Sequence, residues 1–161
     1  MKQILQALAK YLPTRVIIGI DKTPYMFKYT IFENDSIRID LHRIVRSDQS
    51  TSLHNHPWRF GLSVILYGGY QEERLVNGLI EIKSLYAGSI NILLPETFHR
   101  VDLLDDECWT LIVKGRNIQD WGFLDCDTNE FFDWRRYFKL FGLTPEKPVV
   151  LTKEQLKEVD Q

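Results

Sequence analysis

Leu53–Glu73, LHNHPWRFGLSVILYGGYQEE, decides how this chain is read. His54 and His56 stand one residue apart. On a β-strand, successive side chains alternate between faces, so residues two apart share a face. Both imidazoles can therefore point at one metal ion or one substrate. The following LSVILYGG reads as a strand entering a tight turn at Gly68-Gly69, where glycine accepts positive φ, with a return strand from Tyr70. This stretch predicts a hairpin that presents two imidazoles as one wall of a site.

The same strand-and-turn grammar continues in both directions. Upstream, Ser36–Val45 (SIRIDLHRIV) alternates, with Ile37, Ile39, Leu41 and Arg43 on one face and Arg38, Asp40, His42 and Ile44 on the other. Arg15–Ile20 reads as a short strand or an apolar extension. Downstream, Asn77-Gly78 between RLV and LIEIKSL is a strong hairpin signal. Ala87-Gly88-Ser89 is another turn, Ile90–Leu94 a short strand stopped by Pro95, and CWTLIVKG a further strand after the turn at Asp105-Asp106. Many short strands separated by turns predict an all-β sandwich or barrel.

Helices flank this region. Residues 3–12 carry apolar groups at helical spacing (Ile4, Leu5, Leu8, Tyr11, Leu12), and Pro13 ends the run. Glu130–Leu140 (EFFDWRRYFKL) reads as a helix capped by Thr128 or Asn129, with Gly142 after its end. Thr152 and Gln155 fit the capping box of a last short helix. Trp109, Trp121, Phe123 and Trp134 form a late aromatic series expected to pack over the barrel. One domain over 1–161 is expected, with a barrel core over about 25–115, the N-terminal helix 3–12 and a helical extension over about 128–161.

Composition narrows the function. The chain has 161 residues, 44% of them hydrophobic and 12% aromatic, enough for a sizeable core. A formal net charge of −2 gives no electrostatic case for nucleic acid or an anionic membrane. The acidic run Asp105–Glu107 reads as a solvated turn. Cys108 and Cys126 do not suggest a disulfide scaffold, and no apolar run approaches the length of a membrane span, so a cytoplasmic protein is the expectation. Phosphate-binding glycine loops, dinucleotide fingerprints and serine elbows are missing from the sequence.

The histidines carry the chemistry. In an antiparallel barrel, strands distant in sequence can line one interior, so His99 can join His54 and His56. Three imidazoles suit a first-row divalent metal and leave coordination positions open. Structural and functional roles both remain open for His42, including support of a ligand or contact with substrate. Glu72 is a candidate catalytic acid or base. Arg59, Ser63, Tyr70, His42 and Arg100 are candidate contacts to a small-molecule substrate, the arginines as clamps for a carboxylate or phosphate. Adjacent residues on a strand face opposite ways, which sets Arg100 against His99.

His54-Asn55-His56 with Gly68 or Gly69, followed by Gly88, Pro95 and His99, resembles the two motifs of the cupin superfamily over about residues 36–115. The resemblance implies a double-stranded β-helix, or jelly-roll, barrel with a metal held by His54, His56 and His99. It departs from the pattern in three ways. Phe60 or Gly61 stands where the motif glutamate falls, Thr97 replaces a glycine, and the spacing from Pro95 to His99 is one residue short. The fourth ligand position is thus left vacant. The resemblance implies a metal-dependent small-molecule enzyme, with iron and oxygenase or dioxygenase chemistry first and zinc, manganese or nickel as alternatives. A non-catalytic ligand-binding module and a metal-free sugar-nucleotide epimerase or isomerase are the other readings. A homodimer paired through sheet edges is also implied by the resemblance.

Overall fold

The structure, a computed structural model, describes residues 1–19, 23–48 and 50–140. The chain opens with α1 (Lys2–Ala9) and then runs through β1 (Thr14–Ile18), β2 (Pro24–Glu33), β3 (Ile37–Ile44), β4 (Leu53–His54) and β5 (Gly61–Tyr67). It continues through β6 (Gly69–Val76), β7 (Leu79–Tyr86), β8 (Ile90–Leu93), β9 (His99–Leu103) and β10 (Cys108–Gly115). The described part ends with β11 (Gly122–Asp125), β12 (Glu130–Asp133) and α2 (Trp134–Leu140). The capped helix expected around Thr152 and the glycine stop at Gly142 lie outside the described residues.

Two antiparallel six-stranded sheets face each other. The first has the order β1-β2-β3-β10-β5-β8, the second β12-β11-β4-β9-β6-β7. From β4 onward the chain steps repeatedly from one sheet to the other, which makes the architecture a double-stranded β-helix with flanking helices. The Asn77-Gly78 hairpin joins β6 to β7, with both residues at positive φ (51° and 81°), as the primed turn of a two-residue loop requires. No described helix is long and apolar enough to cross a membrane.

The hairpin expected across Gly68-Gly69 does not form. β5 pairs with β10 and β8 in the first sheet, whereas β6 pairs with β7 and β9 in the second. Gly68, at φ 71°, is the corner where the chain changes sheets, and a Cβ there would collide with the Glu107 carbonyl oxygen. Both a hairpin and a corner need the left-handed conformation that glycine supplies, so the two look alike in sequence. Gly68→Ala is expected to cost about 1–3 kcal/mol from backbone strain alone, with the clash added. A urea midpoint unchanged from wild type would contradict this corner.

Two cores form on opposite faces of the first sheet. On its outer face, Leu5 and Ala9 of α1 pack with Val16, Phe27, Tyr29, Leu41 and Trp109. Trp109 is fully buried here, stacked on Tyr29 at 5.7 Å, and so does not belong to the late aromatic series. Glu107 is likewise no solvated turn residue. It is buried, accepts from Trp109 Nε1 (3.1 Å), and pairs with Arg43 (2.6 Å) and Lys2 (2.9 Å), fastening α1 to the sheet. The inner core, between the sheets, contains Ile44, Ile65, Tyr70, Leu85, Val101 and Cys108. Both cysteines are free thiols.

The C-terminal region differs from the expected helix over 130–140. Glu130–Asp133 pairs with β11, after a turn at Asn129 with φ 57°. Asp133, rather than Thr128 or Asn129, caps α2, its Oδ1 accepting from the backbone N–H of Arg135 (2.9 Å). Phe131 and Phe132 on alternating faces satisfy a strand as well as a helix, and the β11 edge decides between them. α2 then lays Tyr137 on Phe123 (ring centroids 3.8 Å apart), and Phe123 backs His54 at 6.1 Å.

Candidate metal centre

The second sheet brings the first and third histidines together. β4 and β9 are neighbours, and His54 stands directly opposite His99 in their register. Opposed residues on antiparallel strands have Cβ atoms about 5 Å apart, so two imidazoles placed there must meet. His56 does not share the strand, because β4 ends at His54. It reaches the same point from the loop, where Pro57 keeps its backbone extended. That loop is braced by Asn55. Its Oδ1 accepts from Gly122 N–H (2.9 Å), and its Nδ2 donates to the Pro95 carbonyl (3.2 Å). Gln119 Nε2 donates to the carbonyls of His56 (3.0 Å) and Pro95 (2.8 Å). Asn55 and Gln119 tie the segments bearing His56 and His99 to each other, a role the sequence reading did not assign.

The donor atoms of His54, His56 and His99 lie within 4.8 Å of one another, and His56 Nε2 is 2.9 Å from His99 Nε2. Two nitrogens bound at about 2.1 Å to one ion stand about 3 Å apart at a right angle and at most about 4.2 Å apart. The His56–His99 pair already has the first spacing, and the wider spacings need only side-chain rotation to close on an ion. Burial holds His54 down to about 4 and His56 well below its ordinary range, so both are neutral donors at neutral pH. Neutral imidazole is the form that binds metal. The donor set therefore fits a first-row divalent ion.

Glu72 is the best-connected residue around the centre. It is buried, and its Oε1 lies 2.7 Å from His99 Nδ1. The same oxygen accepts from Asn91 Nδ2 (2.9 Å) and Arg74 Nη2 (3.0 Å). Burial pushes its carboxyl up, but the hydrogen bonds from His99, Asn91 and Arg74 outweigh it and hold it at about 2. A carboxylate on Nδ1 fixes the His99 tautomer with its Nε2 lone pair toward His56. Trp58 steadies the other ligand, stacking on His56 at 4.2 Å with the rings 7° from parallel.

The cavity beside the histidines has a volume of about 80 Å³. Ser63, His42 and Tyr70 line it, with Tyr70 Oη accepting from Asn91 Nδ2 at 3.1 Å. Arg59 and Arg100 do not reach it, which corrects two of the expected substrate contacts. Arg59 is exposed, with its backbone tied to Arg116. Arg100 faces the opposite side of β9 from His99 and pairs with Glu73 at 2.7 Å. Arg43, on the outer face, is taken by Glu107. Lys28 and Thr110 line the cavity and were not foreseen. On an alternating strand a lysine reads as the solvent face, and only the placement of α1 shows that this face is inside.

Several solved structures share this architecture. Fe(II)-HppE with the alternative substrate (S)-1-HPP aligns with a TM-score of 0.54 at 10% identity, over 66% of this chain and 57% of that one. This chain thus spans little more than half the length of that protein. A putative mannose-6-phosphate isomerase from Ralstonia eutropha JMP134 aligns with a TM-score of 0.51 at 15% identity, over 63% of this chain and 91% of that one. The fold is the cupin-type double-stranded β-helix. No protein-family model and no curated protein sequence matches the chain. At such identities the likeness extends to the cupin-type fold, while the site is read from this chain's own residues.

The buried histidines set an acid limit on stability. Burial lowers His42 to about 3 and His54 to about 4, against an ordinary 6.5. Between those values and 6.5 the unfolded chain binds more protons, so falling pH favours unfolding. The metal-free protein is expected to lose stability as the pH drops from 6.5 toward 4, by up to about 1.4 kcal/mol per pH unit for each such histidine. Thermal melts across that range check it, and a constant melting temperature would refute it.

Proposed function

We propose that this protein is a metal-dependent small-molecule enzyme of the cupin type, with His54, His56 and His99 holding a divalent metal. Iron, with oxygenase or dioxygenase chemistry, is our first reading. The observation that carries the proposal is the meeting of three imidazoles from two segments of chain, one of them oriented by a buried carboxylate. Iron is named first because a protein of the same fold, HppE, is described with Fe(II). Zinc, manganese and nickel suit the same donors.

A metal held there supplies Lewis acidity and open positions for substrate or oxygen. The chain's own residues do the rest. Glu72 holds the proton of His99 Nδ1. Asn91 and Arg74 hold Glu72 ionised, and Trp58 keeps His56 from turning. Leu93, Val101 and Ile112 give the cavity an apolar lining that limits water. Ser63 and Tyr70 offer hydroxyls to a substrate.

One observation favours a second reading. The 2.7 Å His99–Glu72 contact is also the arrangement of a general base and its carboxylate partner, as a metal-free epimerase or isomerase would use. Metal analysis of untagged protein separates the two, before and after anaerobic incubation with Fe(II), Zn(II), Mn(II) or Ni(II). About one equivalent of metal per chain supports the metal enzyme, and oxygen consumption by the Fe(II) form supports the oxygenase. Protein that retains no metal under any of these conditions moves the assignment to the His99–Glu72 base.

A further inference from the structure

The wall of the cavity opposite the three histidines carries polar groups. Lys28 on β2 stands directly across from His42 on β3, and Thr110 on β10 stands across from His42 on its other side. All three line the cavity. The carboxylates buried beside it are already engaged. Asp40 accepts from Arg38 Nε through both oxygens (2.9 Å each) and pairs with Lys114 (2.7 Å), while Glu72 holds His99, Asn91 and Arg74.

Among the described residues Lys28 has no ion pair. His42 is 95% buried, and its Nε2 has no hydrogen-bond partner. The nearest carboxylate oxygen, Asp40 Oδ2, is 3.8 Å away, too far to accept from it. A polar atom left unmet inside a protein costs stability, and natural interiors rarely keep one without a use. Here an ammonium and an orphaned imidazole nitrogen, on adjacent strands, face one cavity from the same side. Beyond them stand the three imidazoles, whose proposed ion would add further positive charge. The excess positive charge calls for an anion.

We propose that Lys28 and His42 form an anion subsite that holds the acid group of a small organic acid, whose other end reaches His54, His56 and His99. The far end rests on the metal-centre reading, whereas the anion wall stands without it. The room available sets the size of the ligand. A cavity of about 80 Å³ has room for several waters, enough for a carboxylate and a short chain. The Thr110 and Ser63 hydroxyls on the same wall can serve the remaining carboxylate lone pairs. Burial, with the charge of Lys114 nearby, lowers Lys28 to about 7, and an anion beside it restores the ammonium.

Propionate is a suitable probe, with propionamide as its uncharged counterpart of equal size. Binding to metal-free and zinc-loaded protein is followed at neutral pH by NMR shift perturbation. Propionate is expected to bind in the millimolar range, and propionamide about tenfold or more weaker. Lys28→Met should cost propionate about tenfold or more and leave propionamide unchanged, while Lys28→Arg retains propionate binding. Lys28→Met should also melt at a higher temperature than wild type, because it removes a half-buried amine that has no ion pair among the described residues. Higher stability with lost anion binding separates a binding role from a structural one.

Equal binding of the two probes, propionate binding that is indifferent to Lys28→Met, or no propionate binding by either form would overturn the subsite. Protein that holds no metal yet selects propionate through Lys28 keeps the subsite and sinks the metal-centre reading. Protein that loads metal but ignores the charge of the probe does the reverse.

Discussion

Asp40→Asn is expected to lower stability by about 3–5 kcal/mol, the usual cost of removing one partner from a buried ion pair. Asp40 is fully buried, and its carboxylate carries the charges of Arg38 and Lys114. Burial alone would push its carboxyl up, but the neighbouring His42, Lys114 and Arg38 outweigh that and hold it well below the ordinary range. Asparagine keeps the size and one acceptor oxygen but leaves those cations uncompensated. Arg38 has a second carboxylate in Glu33 (2.8 Å) and an acceptor in Thr30 (2.7 Å). Among the described residues Lys114 is left with the Trp58 ring, 4.9 Å from its Nζ. At about 2–4 °C per kcal/mol for a chain of this size, the melting temperature should fall by roughly 6–20 °C. Adding Lys114→Met should recover part of the loss, because the orphaned charge goes with it. A single variant within about 1 kcal/mol of wild type would mean that water reaches this cluster freely.

The same cluster shows what sequence alone could and could not reveal. The alternation of Ser36–Val45 correctly separated Leu41 from Asp40, His42 and Ile44. Alternation distinguishes two faces but does not say which is inside. Here both are covered. The apolar face of β3 lies under α1, and the face bearing Asp40 and His42 lines the barrel. Nothing in the alternation therefore marked Lys28, paired with His42 in register, as a cavity residue. Asn77-Gly78 was legible because its turn chemistry is local. Gly68-Gly69 misled because a corner between sheets and a hairpin make the same local demand, and only the pairing of β5 with β10 distinguishes them.

The candidate site was partly legible for the same reasons. Two imidazoles at spacing two, and a third after a proline-stopped strand, marked the residues that the fold brings together. The reason given for the pair was incomplete, since β4 ends at His54 and His56 arrives from the loop. Glu72 was visible as a carboxylate near the site, but its bond to His99 depends on the register of β6 against β9. In that register His99 faces Arg74, with Glu72 two residues along on the same face. Arg59 and Arg100 were proposed from proximity in sequence, and one residue's displacement along a strand is enough to turn a side chain out of the barrel.

His99→Ala and Glu72→Gln should separate holding the metal from orienting its holder. His99→Ala removes one of three donors and should abolish stoichiometric loading, whatever the metal. Glu72→Gln leaves every proposed donor in place. It replaces the anionic acceptor on His99 Nδ1 with a neutral amide, so the imidazole becomes less basic and its tautomer less firmly set. The expected loss is about 10–100-fold in metal affinity. The fold should persist, since Asn91 and Arg74 can still donate to the glutamine carbonyl oxygen. Competition titrations with a chelator read the affinity, and the NMR signals of the His99 ring read the tautomer. Retained one-to-one loading in His99→Ala would remove that residue from the centre. Unchanged affinity and tautomer in Glu72→Gln would leave Glu72 a structural carboxylate, because it acts on an ion it does not touch by setting the direction and the basicity of the Nε2 lone pair.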